Sequence, residues 1–159
     1  MKRLLVAIVA LAALPLAAAT IRLDDSASPK RRLDLKPRWV HEQGEIGSPD
    51  RLNAMVANVP AVEIRLNTAA HVGKRGRIYL VMPAVVPGLM SPNAMRLEWR
   101  TRGVFQEGSA LPGERRLLYD GPISQPSMND HFDFNVFFDA RQQAGALRFD
   151  PSFELEVLP

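Results

Sequence analysis

The segment from Asp130 to Asn135 carries side chains that could bind a ligand. Because successive strand residues point to opposite faces, a strand here places His131, Asp133 and Asn135 on one face. Hard oxygen ligands grouped in this way could hold calcium. No spaced acidic loop accompanies them, so we prefer a solvated face of a half-buried strand, with Asp133 paired to an arginine across the sheet. The three polar residues are candidate binding residues.

Phe137 lies out of phase with the apolar side of the same segment, on its otherwise polar face. The apolar side is formed by Phe132, Phe134, Val136 and Phe138. An exposed aromatic residue on a sheet often marks a partner surface or a platform on which a sugar ring stacks. The structural alternative is a bulge, or a face covered by a helix. Phe137 is therefore a fourth candidate binding residue.

A basic turn, Gly73-Lys74-Arg75-Gly76-Arg77, could hold an anion. Its backbone N–H groups would be assisted by three cations, Lys74, Arg75 and Arg77. The GxxxxGK[ST] pattern and a following helix are missing, so the turn is not a phosphate-binding loop of the usual kind. An ordinary basic β-turn is the simpler interpretation, and the three cations are further candidate binding residues.

Other chemistries have little support. The histidines, His41, His71 and His131, lie far apart and lack metal-ligand spacing, so we expect no metal centre and no cofactor. The chain has no cysteine, which excludes thiol catalysis, disulfides and a lipoprotein anchor. No GxSxG motif is present. A pair of catalytic carboxylates cannot be located from sequence, because their separation is a three-dimensional property.

The first nineteen residues predict a cleaved signal peptide. Lys2 and Arg3 form a positive start, an apolar run of residues 4–16 follows, and three alanines end the segment at Ala19. The chain has 20 Lys+Arg and 17 Asp+Glu; without Lys2 and Arg3 the counts are 18 and 17, a net charge of +1. This balance does not indicate nucleic-acid binding, which needs a clustered basic surface. We expect no transmembrane span in the mature chain and a periplasmic or secreted location.

The mature chain reads mainly as β-structure. Residues 95–102 alternate apolar or β-branched with charged side chains, which turns Trp99 inward and the arginines outward. Further strands are predicted at 21–23, 61–67, 77–82, 115–119, 131–139, 146–149 and 153–157. Ser48, Pro49 and helical spacing of apolar residues predict one short helix over 49–58. Short strands with turns between them favour an all-β, antiparallel two-sheet sandwich, for which an immunoglobulin-like topology is one arrangement.

We expect residues 20–47 to form an extended N-terminal arm and residues 48–159 the sandwich domain. The first functional hypothesis is a non-enzymatic binding or assembly module of the cell envelope, which contacts a protein partner or a polysaccharide through a sheet face or edge. The second is a small envelope hydrolase or metal-dependent enzyme on the same scaffold. A third is a small-molecule or metal carrier that uses His131 and Asp133. A concave site with converging ionisable groups would favour an enzyme, and a flat face bearing Phe137 a binding module.

Overall fold

In the part of the chain that the structure describes, nine β-strands form two antiparallel sheets. The computed structural model describes residues 19–29, 36–41, 53–148 and 150–159. The strands are β1 (Thr20–Arg22), β2 (Arg38–Trp39), β3 (Ala54–Asn67), β4 (Arg75–Val81), β5 (Met95–Thr101), β6 (Gly108–Ala110), β7 (Arg115–Pro122), β8 (Ser127–Asp139) and β9 (Ser152–Val157). The four-stranded sheet has the order β1-β9-β4-β7, and the five-stranded sheet has the order β2-β3-β8-β5-β6. The prediction of a β-protein with two antiparallel sheets is confirmed.

Alternation along the strands decides which side chains enter the core. In β5, Leu97 and Trp99 are buried, whereas Arg96 and Arg100 are exposed. The indole N–H of Trp99 donates to the carbonyl oxygen of Gln106 at 2.9 Å, so the one polar atom of this buried ring has a partner. Both sheets contribute to one apolar cluster, with Leu66, Leu97, Phe132 and Val136 from the five-stranded sheet and Ile78, Leu80, Leu118, Phe153 and Leu155 from the four-stranded sheet.

The helix predicted over 49–58 is wrong in the part that the structure describes. Residues 54–58 belong to β3, which pairs with β8, for example Val56 with Phe137 and Ala57 with Val136. Val56 and Ala57 are both buried although they point to opposite faces. Because neighbouring residues on opposite faces are both apolar here, apolar and polar side chains do not alternate. The spacing of the apolar residues therefore resembled that of a helix. Residues 49–52 lie outside the described part of the chain.

A β-bulge lets β3 continue through Pro60. The register with β8 shifts between Val59 and Val62, so Pro60 and Ala61 are left out of the ladder. Ala61 has a φ of 55°, a left-handed conformation that is uncommon for alanine. Pro60 therefore does not end the segment, because a bulge tolerates a residue without an N–H donor.

The predicted strand at 61–67 is the second half of β3, and the other predicted strands overlap β1, β4, β5, β7, β8 and β9, except the strand at 146–149. Residues 146–148 are not in a strand, because this segment bonds to the loop after β4 instead: the amide of Ala144 donates to Gly88, and that of Arg148 donates to Pro87. Phe149 lies outside the described residues.

One sequence prediction falls almost wholly, and another partly, outside the described chain. These are the signal peptide, of which residues 1–18 are not described, and parts of the arm, at 30–35 and 42–47. The start of the arm is β1, an edge strand of the four-stranded sheet, and Leu23 after it is buried. None of the helices within the described ranges has the length and apolar character needed to cross a membrane.

Candidate functional site

Four of the predicted binding residues share one face of the five-stranded sheet. β8 is an inner strand of this sheet, between β3 and β5. Its core-facing side chains, such as Phe132 and Val136, are buried, so His131, Asp133, Asn135 and Phe137 point to the opposite side. We call this side of the five-stranded sheet the outer face. The three basic candidates lie elsewhere, in or just before β4 of the other sheet.

Phe137 lies between an apolar and a cationic neighbour on the outer face. It pairs with Val56 of β3 on one side and with Arg96 of β5 on the other. The guanidinium carbon of Arg96 lies 5.1 Å from the centroid of the phenyl ring, within the range of a cation–π interaction. Arg96 is also bonded to Glu98 at 2.8 Å. Phe137 is half-buried as a result, and within the described residues no helix covers it.

A row of polar side chains crosses the outer face next to Phe137. Asn58 of β3, Asn135 of β8, Glu98 of β5 and Ser109 of β6 are successive partners in register. The side-chain amide of Asn58 donates to the side-chain oxygen of Asn135. Side chains opposite one another on antiparallel strands are only about 5 Å apart at Cβ, so this row presents donors and acceptors at close intervals.

One end of this row borders a shallow hollow of about 390 Å³. Its polar lining consists of Glu98, Arg100, Glu107, Ser109 and Asn135. Gly108 is required in its wall, because a Cβ there would come within 2.9 Å of the ring of Trp99. Of these residues only Asn135 was a candidate from sequence. The others could have been found only from the pairing of β5 with β6 and β8, which sequence patterns do not reveal.

The two carboxylates of the segment from Asp130 to Asn135, for which calcium was the less favoured alternative, are already engaged. Asp133 accepts the amide of Ala61 at 2.7 Å and the guanidinium of Arg102 at 2.9 Å, which lower the pKa of its carboxyl group. The predicted pairing of Asp133 with an arginine is thus confirmed. Asp130 is buried and accepts the amides of Arg102, Phe105 and His131. In the described ranges no three acidic or histidine side chains are grouped so as to hold a metal ion.

The basic turn meets a carboxylate of its own sheet. Arg77 bonds to Asp120 of β7 at 2.9 Å, and Arg75 approaches the same carboxylate at 3.7 Å. The bond from Arg77 is the main cause of a lowered pKa for Asp120. Lys74 is exposed in the turn, next to Gly73, whose φ is 86°. Two of the three predicted anion-binding cations therefore lie beside an internal anion.

A larger cleft, of about 750 Å³, was not anticipated from sequence. It lies beside β3, and His131 is the only candidate residue in its lining. His131 faces Glu63 across the β3–β8 pair, and Glu63 bonds to Arg65 at 2.8 Å. The cleft combines residues from β3, β8, β9 and two loops, so no local pattern could have indicated it.

Comparison of the chain with protein-family models, with curated proteins and with solved structures finds no match.

Proposed function

We propose that this protein is an exported, non-enzymatic binding or assembly module of the cell envelope. It contacts a protein partner or a polysaccharide through the outer face of its five-stranded sheet. Export is supported by the positive start, the apolar run and the three alanines within residues 1–19. A periplasmic or secreted location follows from export.

The proposal includes an architecture in which the two sheets pack face to face as a β-sandwich, for which an immunoglobulin-like topology is one arrangement. Support comes from the apolar cluster, which draws on both sheets and contains Trp99. A sandwich leaves one face of each sheet toward solvent, and the face that carries Phe137 is one of these.

The observation that carries the functional proposal is the pairing of Phe137 and Arg96 beside the polar row of Asn58, Asn135 and Glu98. A ring and a guanidinium offer stacking, and the neighbouring row offers hydrogen bonds. Aromatic residues and arginine are the side chains most enriched at the centres of interfaces. The carboxylates here are held by arginines, Asp133 by Arg102 and Glu98 by Arg96, which suits fixed recognition better than proton transfer.

The second hypothesis, a small envelope hydrolase, has one observation in its favour. The large cleft has ionisable residues at its rim, and His131 lies opposite Glu63. Glu63 is bonded to Arg65, so a free carboxylate–histidine pair is not assembled. An enzyme at this cleft would lose turnover in His131→Ala and keep it in Phe137→Asp. Binding is the first hypothesis because the carboxylate of Glu63 is already paired with Arg65.

A pull-down from envelope extract tests the proposal. The full chain is expressed with a C-terminal tag, recovered from the exported fraction and immobilised. Phe137→Asp and Arg96→Glu should each recover less of whatever protein or glycan the wild type retains, because both remove the ring–guanidinium pair. Arg96 is exposed, so its variant separates lost binding from lost folding if Phe137→Asp is unstable.

Val72→Asp is the matched control. Val72 is an exposed apolar residue in the turn before β4 of the other sheet. The Val72→Asp variant should recover the same material as the wild type. If both outer-face variants recover the same material as the wild type while circular dichroism shows them folded, the outer face is not the binding surface.

A further inference from the structure

The large cleft has an apolar interior. Its lining includes Val59, Val62, Phe134, Val136, Leu147 and Phe153. Its volume of about 750 Å³ lies within the range of 300–1,000 Å³ that is usual for small-molecule sites, and such sites are lined mainly by apolar side chains. Phe134 and Leu147 are only half-buried, although both pack against the core cluster. An apolar body entering here would therefore cover surface that the fold leaves partly open.

The bulge in β3 shapes the mouth of the cleft. Pro60 and Ala61 line the cleft and are exposed, and the amide of Ala61 is directed to the carboxylate of Asp133 at 2.7 Å. Pro60 has no N–H group. This part of β3 therefore has few free donors for an added strand, which favours a small ligand over an extended peptide.

The rim of the cleft is mainly acidic. Three carboxylates line the cleft, those of Asp25, Glu63 and Asp150, against one guanidinium, that of Arg148, and the imidazole of His131. All five residues are partly or fully exposed, which places them toward solvent. Glu63 is neutralised by Arg65 at 2.8 Å. Asp25 and Asp150 have no ion pair with any residue in the described ranges. Charge complementarity at the rim therefore favours a cation.

We propose that the cleft binds a small amphiphile, whose apolar body occupies the interior and whose single cationic group lies at the rim near Asp25 and Asp150. The ring of Phe134 lines the apolar interior and provides surface on which the apolar body packs. Of the outer-face candidates only His131 lines this cleft, and Phe137 and Arg96 do not, so either proposal can fail without the other.

Three single-chain detergents of equal alkyl length test the proposal: dodecyltrimethylammonium, dodecyl sulfate and dodecyl maltoside. Each is titrated calorimetrically into the exported protein, below its micellar concentration, with circular dichroism to confirm that the fold persists. The cationic probe should bind roughly tenfold more tightly than the neutral one, and the anionic probe more weakly than both. Raising the salt concentration should reduce the difference between the cationic and neutral probes.

Two variants and a control separate the two parts of the site. The double substitution Asp25→Asn with Asp150→Asn should reduce the affinity for the cationic probe by roughly three- to tenfold. The affinity for the neutral probe should not change. Leu147→Asn puts a polar group in the interior and should weaken all three probes. Leu117→Asn, at an exposed apolar position on β7 of the four-stranded sheet, should change none.

Amide chemical shifts locate the bound probe. The cationic detergent should perturb the amides of Phe134 and Val136, in the interior of the cleft. Equal affinities for the three probes, absence of binding, or an unchanged affinity in folded Leu147→Asn would each overturn the proposal. An extended basic peptide that binds in place of the detergent and perturbs the β3 amides would overturn it in favour of strand addition.

Discussion

Gly103 lies directly against the buried carboxyl group of Asp130, so close that a Cβ at position 103 would come within 2.9 Å of its carboxyl carbon. The same carboxylate accepts the amides of Arg102 and Phe105, on either side of Gly103 and Val104, so the turn after β5 is folded around it. The same turn also supports Trp99, because the indole N–H donates to the carbonyl oxygen of Gln106. The side chain of Asp130 therefore stabilises the end of β5, the strand that carries the buried Trp99.

Replacing Asp130 with alanine should destabilise the protein by about 3 kcal/mol, because buried amide donors lose a charged acceptor. Urea unfolding followed by tryptophan fluorescence measures the change. Glu107→Ala, at an exposed acid in the same connection, should alter stability by no more than about 0.5 kcal/mol. Equal effects of the two substitutions would mean that Asp130 does not organise the turn.

Two glycines with positive φ distinguish the cost of backbone strain from the cost of a steric clash when glycine is replaced by alanine. Gly88 has a φ of 88°, and a Cβ there would lie 2.4 Å from the carbonyl oxygen of Ala146, whereas Gly73 has a φ of 86° and open space around it. Gly73→Ala should therefore cost about 1–2 kcal/mol, from backbone strain alone. Gly88→Ala should cost more, because the 87–90 loop must also move away from residues 144–148. Similar urea midpoints for the two variants would contradict this reasoning.

Phe132→Ala should be among the most destabilising single substitutions, at about 3–5 kcal/mol. The ring is fully buried and lies between Phe105 and Phe134, with centroid distances of 5.9 Å and 5.4 Å. Phe134→Ala should cost less, since Phe134 is half-buried beside the large cleft. Thermal unfolding of the two variants gives the comparison, and the opposite order would argue against the observed burial.

Asp133→Asn should lower stability at neutral pH by an amount that shrinks in acid. The pKa of Asp133 in the folded protein is lowered, first by the amide of Ala61 and then by Arg102. The ionised carboxylate of Asp133 stabilises the folded protein fully above the unfolded pKa of about 3.9. This stabilisation is lost as the pH falls through the lower pKa of the folded state. Urea midpoints of wild type and variant should therefore converge below about pH 4. A constant difference down to the most acidic measurable pH would assign the effect to something other than ionisation.

Export should leave Thr20 as the first residue. Intact-mass measurement of the exported protein should fit residues 20–159, because the three alanines at 17–19 match a cleavage site. Ala19→Arg, which places a bulky charge at the cleavage position, should retain the longer chain. A wild-type mass that includes residues 1–19 would exclude cleavage at this site.

The sequence by itself determined where most strands lie and which of their faces is apolar. In residues 95–102 the period of two is uninterrupted, and in residues 131–139 only Phe137 departs from it. This period follows from strand geometry whatever the neighbours are. The pairing of Asp133 with an arginine was also foreseeable, since opposite charges on neighbouring strands attract. The partner itself, Arg102, was not.

Only the tertiary structure decided what lies beside what. Residues 54–58 form a strand because β8 pairs with them, and the burial of both Val56 and Ala57, on opposite faces, erases the local alternation. The proximity of Arg96 to Phe137 and the cleft beside β3 likewise join residues separated by dozens of positions. Spacing along a chain encodes the direction of each side chain, whereas a binding surface depends on which strands become neighbours, and that is settled by packing of the whole fold.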